Sequence, residues 1–185
     1  MAADKTSIVH AQQQLERLAH SDSLTQLANR FFMHHAIAQE MRAQRHGALL
    51  LIDLDYFKSI NDSLGHSVGD AVLQQVLARI RGVLRPDDVV ARLEADSFVV
   101  VTECDRKDCE QLAYRLSDVV GKRPLRIDGQ AITVTVSIGV AMSHPGDSVA
   151  MLLARAERAL LSARIAGHGA VGHEPMRATA STAME

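Results

Sequence analysis

A chain of 185 residues with 47% hydrophobic residues suits one domain with a sizeable core and short extensions. A net charge of -2, scattered basic residues and only 3% aromatics argue against an electrostatic or base-stacking nucleic-acid binder. No apolar run reaches the ~18 residues of a membrane span and no signal peptide follows Met1, so a cytosolic protein is expected.

Cys104 and Cys109 read as reduced thiols rather than a disulfide or zinc pair, and the nine His show no metal-binding spacing. In chain order, Ser7 to His20 predicts an amphipathic helix with Leu15, Leu18 and Ala19 on one face. Ser21-Asp22-Ser23-Leu24-Thr25 is an N-cap signal, because Ser21 or Asp22 can accept from the free N–H groups of a new helix. Asn29-Arg30 opens the next helix, through Phe31, Phe32, Ala36, Ile37 and Met41, and Gly47 ends that region. Ala48 to Leu54 is a near-continuous apolar run and predicts a central strand buried on both faces. Asp53 to Lys58 turns off its end, Asn61 to His66 is loop chemistry, and Gly69-Asp70 starts a helix with Val72, Val76, Ile80 and Leu84 inward. Pro86 stops that helix within Arg85-Pro86-Asp87-Asp88.

A β-hairpin follows. Asp88 to Ala91 and Phe98 to Val101 flank the polar tip Arg92-Leu93-Glu94-Ala95-Asp96-Ser97. Two acidic strand ends, at Asp53 and Asp96, could therefore meet on one sheet and hold a metal and a phosphate. Asp105 to Val120 predicts a helix, Leu125–Ile127 and Ile132 to Val140 two strands joined by Asp128-Gly129-Gln130, and Ser148 to Ile165 a last helix stopped by Gly167. Thr133, Thr135 and Ser137 give one face of the second strand a less apolar character. Ala170-Val171 could add an edge strand, and from His173 the chain reads as a linker or tail. The whole implies an α/β (α+β) sandwich, a mixed central sheet flanked by helices. The expected organisation is a linker helix over 1–21, a folded domain over 22–172 and a tail over 173–185.

Four segments in order carry a resemblance. Asp22-Ser23-Leu24-Thr25-Gln26-Leu27-Ala28-Asn29-Arg30 is similar to a D-x-L-T-x-L-x-N-R opening. Asp53-Leu54-Asp55-Tyr56-Phe57-Lys58-Ser59-Ile60-Asn61-Asp62 is similar to D-x-D-x-F-K-x-I-N-D, Gly65 to Asp70 to G-H-x-x-G-D, and Val136 to Val140 to V-S-I-G-V. Together these residues resemble the GGDEF family, the bacterial diguanylate cyclases, over about Asp22 to Val171. The resemblance implies a nucleotidyl-cyclase or polymerase-palm-like fold whose hairpin carries the signature. It implies an activity that joins two GTP into cyclic di-GMP across a homodimer, with two divalent metals, usually Mg2+. It implies that Asp53 and Asp96 hold metal, that Asn61 and Asp70 face guanine, and that Lys58 and Arg164 face phosphate, with Asp96 catalytic if the domain is active.

The chain departs from the family at the signature itself. Where the family has Gly-Gly-Asp/Glu-Glu-Phe, it has Glu94-Ala95-Asp96-Ser97-Phe98. Glu94 adds a charge beside the GTP position, a repulsion of roughly 3 kcal/mol at ~6 Å and an effective dielectric of ~20. Ser97 replaces a metal-binding acid with a far weaker ligand. Near the last helix Arg164 stands for Lys and His168 for Arg. Arg85 and Asp88 resemble the R-x-x-D of an inhibitory cyclic di-GMP site. The ends resemble a signalling helix and a linker to an EAL domain. The expected function is a degenerate regulatory module that binds GTP or cyclic di-GMP for a neighbouring sensor or EAL domain. A slow cyclase and a ligand-free dimerisation domain are the alternatives.

Overall fold

A computed structural model describes residues 24–25, 34–35, 37–39 and 47–174. The linker helix expected over Ser7 to His20, the cap at Ser21-Asp22 and the tail beyond Glu174 lie outside these residues. Leu24-Thr25 form a turn, and 34–35 and 37–39 are helical.

From Gly47 onward the elements are β1 (Gly47–Leu54), α1 (Phe57–Leu64), α2 (His66–Arg81), β2 (Val89–Arg92), β3 (Ser97–Glu103) and α3 (Arg106–Gly121). They continue as β4 (Leu125–Ile127), β5 (Gln130–Ile132), β6 (Val136–Met142), α4 (Val149–Ala166) and β7 (Val171–His173). The main sheet has the order β2-β3-β1-β6-β7. β1 is antiparallel to both neighbours, and β7 runs parallel to β6. The mixed central sheet flanked by helices is the expected architecture.

The apolar run of β1 serves two cores because successive side chains point to opposite faces. Leu50, Ile52 and Leu54 join Phe98, Val100 and Ile138 beneath α2 and α3. Leu49 and Leu51 join Val99, Val101 and Ala141 beneath α4. Two glycines let α4 sit close to the sheet. A Cβ on Gly139 would lie 2.2 Å from the Ala156 carbonyl oxygen, and one on Gly172 would lie 1.9 Å from that of Ala159. Side-chain caps start the two long C-terminal helices. Asp105 accepts from the Asp108 N–H at 2.8 Å and Ser148 from the Met151 N–H at 3.2 Å.

Three expectations change. Asn61 to His66 is not a loop: Asn61, Asp62 and Ser63 lie within α1, and the break falls at Gly65, one residue before α2. Tyr56, in the left-handed region at φ 58, turns the chain from β1 straight into α1, so polar residues occupy a short helix. The strand read over Ile132 to Val140 is two strands in different sheets, with β5 pairing only with β4. The polar groups of Thr135 explain the interruption. Its carbonyl accepts from the Asp55 N–H at 3.0 Å and its hydroxyl donates to the Asp55 carboxylate at 2.6 Å, so this segment bonds the end of β1. The edge strand β7 runs from Val171 to His173, slightly later than expected.

Beyond β7, Glu174 is buried. Its carboxylate lies 2.7 Å from Arg155 Nε, and the same guanidinium donates to Asp147 Oδ1 at 2.8 Å and to the Met142 carbonyl at 2.8 Å. Arg155 holds the Asp147 carboxyl below the usual carboxylate range, mainly by hydrogen bonding, and Asp147 raises the Arg155 guanidinium in return. Cys104 and Cys109 are free thiols, as expected.

Candidate functional site

The C-terminal end of β1 gathers the polar residues. Antiparallel pairing sets Asp53 beside Ser97 of β3 on one side and Ser137 of β6 on the other. Asp53 is 6% exposed. Its Oδ1 accepts from Ser97 Oγ at 2.8 Å, and its Oδ2 is paired with the Nη2 of Arg164, in the last turn of α4. Both carboxylate oxygens are therefore engaged by donors. The structure thus brings Asp53, Ser97 and Arg164 to one point, three positions far apart in the chain.

Asp55, two residues on, forms a second buried node that sequence reasoning did not assign. Ser137 Oγ donates to its Oδ1 at 2.7 Å, and Thr135 Oγ1 and the Gly169 N–H donate to its Oδ2 at 2.6 and 2.9 Å. His168 Nδ1 stands 3.3 Å from Oδ1, and the His168 ring lies against Tyr56 with centroids 4.2 Å apart. Asp55 thereby ties the loop after α4 to the end of β1 and fixes where Arg164 emerges. The signal for it was the polar alternation of Thr135 and Ser137, which marks a strand face that must satisfy a buried charge.

A third group lies at the junction of α1 and α2. The Asn61 side chain packs onto Gly69, where a Cβ would stand 1.8 Å from Asn61 Oδ1. That oxygen is buried with no hydrogen-bond partner. Asp70 follows Gly69 and is exposed, as is Lys58 on α1. An unsatisfied buried acceptor costs about 1–3 kcal/mol, so its persistence here suits a position that meets a donor from outside.

At the hairpin tip Arg92 folds back on the turn, donating to the carbonyls of Glu94 at 3.2 Å and Ala95 at 2.7 Å. Glu94 and Ala95 are exposed. The Leu54 N–H donates to the Asp96 carbonyl at 3.1 Å, which pins the tip to β1. Burial pushes the Asp96 carboxyl above its ordinary value, its own backbone N–H opposes this, Glu94 adds to the rise and Arg92 counters it. Arg85 and Asp88 lie at the far end of β2 from this tip. Asp88 Oδ2 accepts the Arg85 N–H at 2.7 Å, a bond that closes their own turn.

These residues fit a two-metal arrangement poorly. Asp53 already holds two donors, position 97 is a hydroxyl, and among the described residues no three His, Cys, Asp or Glu side chains gather to hold a metal ion. Asp55 already accepts three hydrogen bonds from Thr135, Ser137 and Gly169.

The sequence and fold have counterparts among known proteins. The family model "Diguanylate cyclase, GGDEF domain" matches residues 19–170. The chain belongs to the GGDEF domain family. The chain is 38% identical over 164 residues to the cyclic di-GMP phosphodiesterase NbdA of Pseudomonas aeruginosa, covering 85% of this chain and 21% of that protein. It is 38% identical over 164 residues to the diguanylate cyclase TpbB of P. aeruginosa, covering 84% of this chain and 37% of that one. The chain thus spans between about a fifth and two fifths of these relatives. Among solved structures, the coiled coil and GGDEF domain of DgcB from Caulobacter crescentus, in complex with c-di-GMP, has a TM-score of 0.82 at 28% identity, over 92% of this chain and 96% of that one. The GGDEF domain of TpbB has a TM-score of 0.78 at 34% identity, over 84% of this chain and 95% of that one. Among the described residues, no helix of this GGDEF domain is long and apolar enough to cross a membrane.

Proposed function

We propose that this GGDEF domain is a nucleotide-responsive regulatory module of cyclic di-GMP signalling that does not turn over GTP. The observation that carries the reading is a contrast within one site. The Asn61 amide keeps an unpartnered buried oxygen beside Asp70, while the Asp53 carboxylate is fully engaged by Ser97 and Arg164. The base-recognition side of the site keeps an acceptor without a partner, whereas both oxygens of the Asp53 carboxylate already hold donors.

In this reading Asn61 Oδ1 accepts from a guanine N–H and the Asp70 carboxylate accepts further guanine donors. Lys58 and Arg164 supply positive charge for phosphate. Glu94 at the exposed tip opposes a triphosphate by like charge. The ligand is GTP or cyclic di-GMP, and binding adjusts a second copy of the domain or a neighbouring sensor or EAL domain in the cytosol. Two features of the relatives support the last point. The chain matches only a part of each, and NbdA is named a cyclic di-GMP phosphodiesterase.

A slow cyclase is the second reading, favoured by the retention of Asp53 and Asp96 on adjacent strand ends and by the likeness to TpbB. Purified protein incubated with GTP and Mg2+, with nucleotides resolved by chromatography, decides between them. No cyclic di-GMP is expected. Product formation that Asp53→Ala abolishes would establish the cyclase and overturn the regulatory reading. Calorimetric titration should show GTP or cyclic di-GMP binding, and heat with neither favours a purely structural role.

A further inference from the structure

We infer that Arg164 is the resident cation of Asp53, and that its guanidinium keeps divalent ions off this carboxylate. The inference concerns the ion alone and goes beyond the regulatory reading, which requires only that nucleotide be bound.

Three observations carry it. First, the two groups that hold Asp53 are both donors: a hydroxyl to Oδ1 and a guanidinium to Oδ2. A guanidinium has no acceptor capacity and stays charged, so it cannot share a metal ion and repels one electrostatically. Second, the nearby Asp55 does not compensate. Asp55 spends its oxygens on Thr135, Ser137 and Gly169, and among the described residues no cluster suited to a metal is present. A hard divalent ion collects several oxygen ligands, and one carboxylate of a neutralised pair supplies few. Third, the reach of Arg164 is built into the fold. Gly139 and Gly172 hold α4 against the sheet, Gly167 ends the helix, and the Asp55 bond to the Gly169 N–H anchors the loop beyond. Arg164 leaves the helix between these anchors and meets a carboxylate that is otherwise buried. Its side chain is 43% exposed, so it fills the position from the solvent side and its removal opens that side.

The test uses Mn2+ alone, followed by electron paramagnetic resonance of the free ion, on the full chain and on Arg164→Ala and Arg164→Ala/Asp53→Asn. Thermal unfolding checks that each variant is folded. The wild-type chain is expected to bind Mn2+ no more tightly than the double variant. Arg164→Ala should bind at least tenfold more tightly, and the added Asp53→Asn should remove that gain. Wild-type affinity within twofold of Arg164→Ala overturns the inference, and so does a gain that survives Asp53→Asn. Because no nucleotide is present, failure here leaves the nucleotide reading standing, and absence of nucleotide binding leaves this result standing.

Discussion

The amide oxygen of Asn61 occupies the space that a side chain at position 69 would need: a Cβ there would lie 1.8 Å from it. Gly69→Ala must therefore push the Asn61 amide out of its seat. Overpacking of this kind costs typically 1–3 kcal/mol, and the same displacement removes the buried acceptor from the ligand position. Chemical denaturation should show a loss in that range, and calorimetry should show GTP affinity falling at least tenfold. Gly69→Ala with unchanged nucleotide affinity would separate Asn61 from ligand binding.

Asp55 supports the site without facing it. Replacing it with Ala strands the hydroxyls of Thr135 and Ser137 and the Gly169 N–H, which now all donate to it. Loss of a buried, multiply bonded carboxylate is expected to cost about 2–4 kcal/mol, read as a lower urea midpoint. Hydrogen exchange at the Gly169 amide should rise faster than global unfolding accounts for. A change within 0.5 kcal/mol, the scale of ordinary surface substitutions, would show that the loop after α4 is held by other means.

The far end of the sheet gives a pH signature. Arg155 depresses the Asp147 carboxyl in the folded state, so the folded protein binds this proton less readily than the unfolded chain. The contribution is complete above the unfolded value of about 4 and is lost as pH falls through the lower folded value. Urea midpoints should decline across that acid window. In Asp147→Asn the pair is broken at every pH, with a cost of about 3 kcal/mol at neutrality and a flatter acid limb. An acid limb identical in the two proteins would assign the pH dependence to other carboxylates.

Arg85 and Asp88 offer a simpler test. Arg85 is exposed, and the bond between the two uses the Arg85 backbone N–H rather than its guanidinium. Arg85→Ala should leave stability within about 0.5 kcal/mol, as for other surface changes. If cyclic di-GMP docks here, the same variant should abolish that binding in calorimetry. Undiminished affinity rejects this turn as the docking point.

The sequence carried the fold through strong local signals. The apolar run of β1, the acidic hairpin between β2 and β3 and the helices that follow Asp105 and Ser148 all lie where the pattern put them. Legibility failed where tertiary bonding overrode local preference. Asn61 to Ser63 look like a loop because Asn, Asp and Ser favour turns, yet a left-handed Tyr56 starts a helix at Phe57 that takes them in. Thr135 reads as mid-strand, but its hydroxyl and carbonyl are claimed by Asp55, 80 residues earlier. The site followed the same rule. Asp53 and Arg164 were each readable as functional, whereas their mutual pairing, and the whole Asp55 node, depend on partners distant in the chain.

The two glycines under α4 have a mechanical consequence. Helix height above a sheet is set by the side chains between them, and at Gly139 and Gly172 that spacer is a hydrogen atom. Arg164 spans from its helix turn to a carboxylate on the third strand of the sheet. A single methyl under α4 would raise the helix and lengthen the gap without touching any polar residue. The pairing of Asp53 with Arg164 thus depends on an apolar contact between helix and sheet, a dimension along which a domain of this architecture can be tuned while every charged residue is kept.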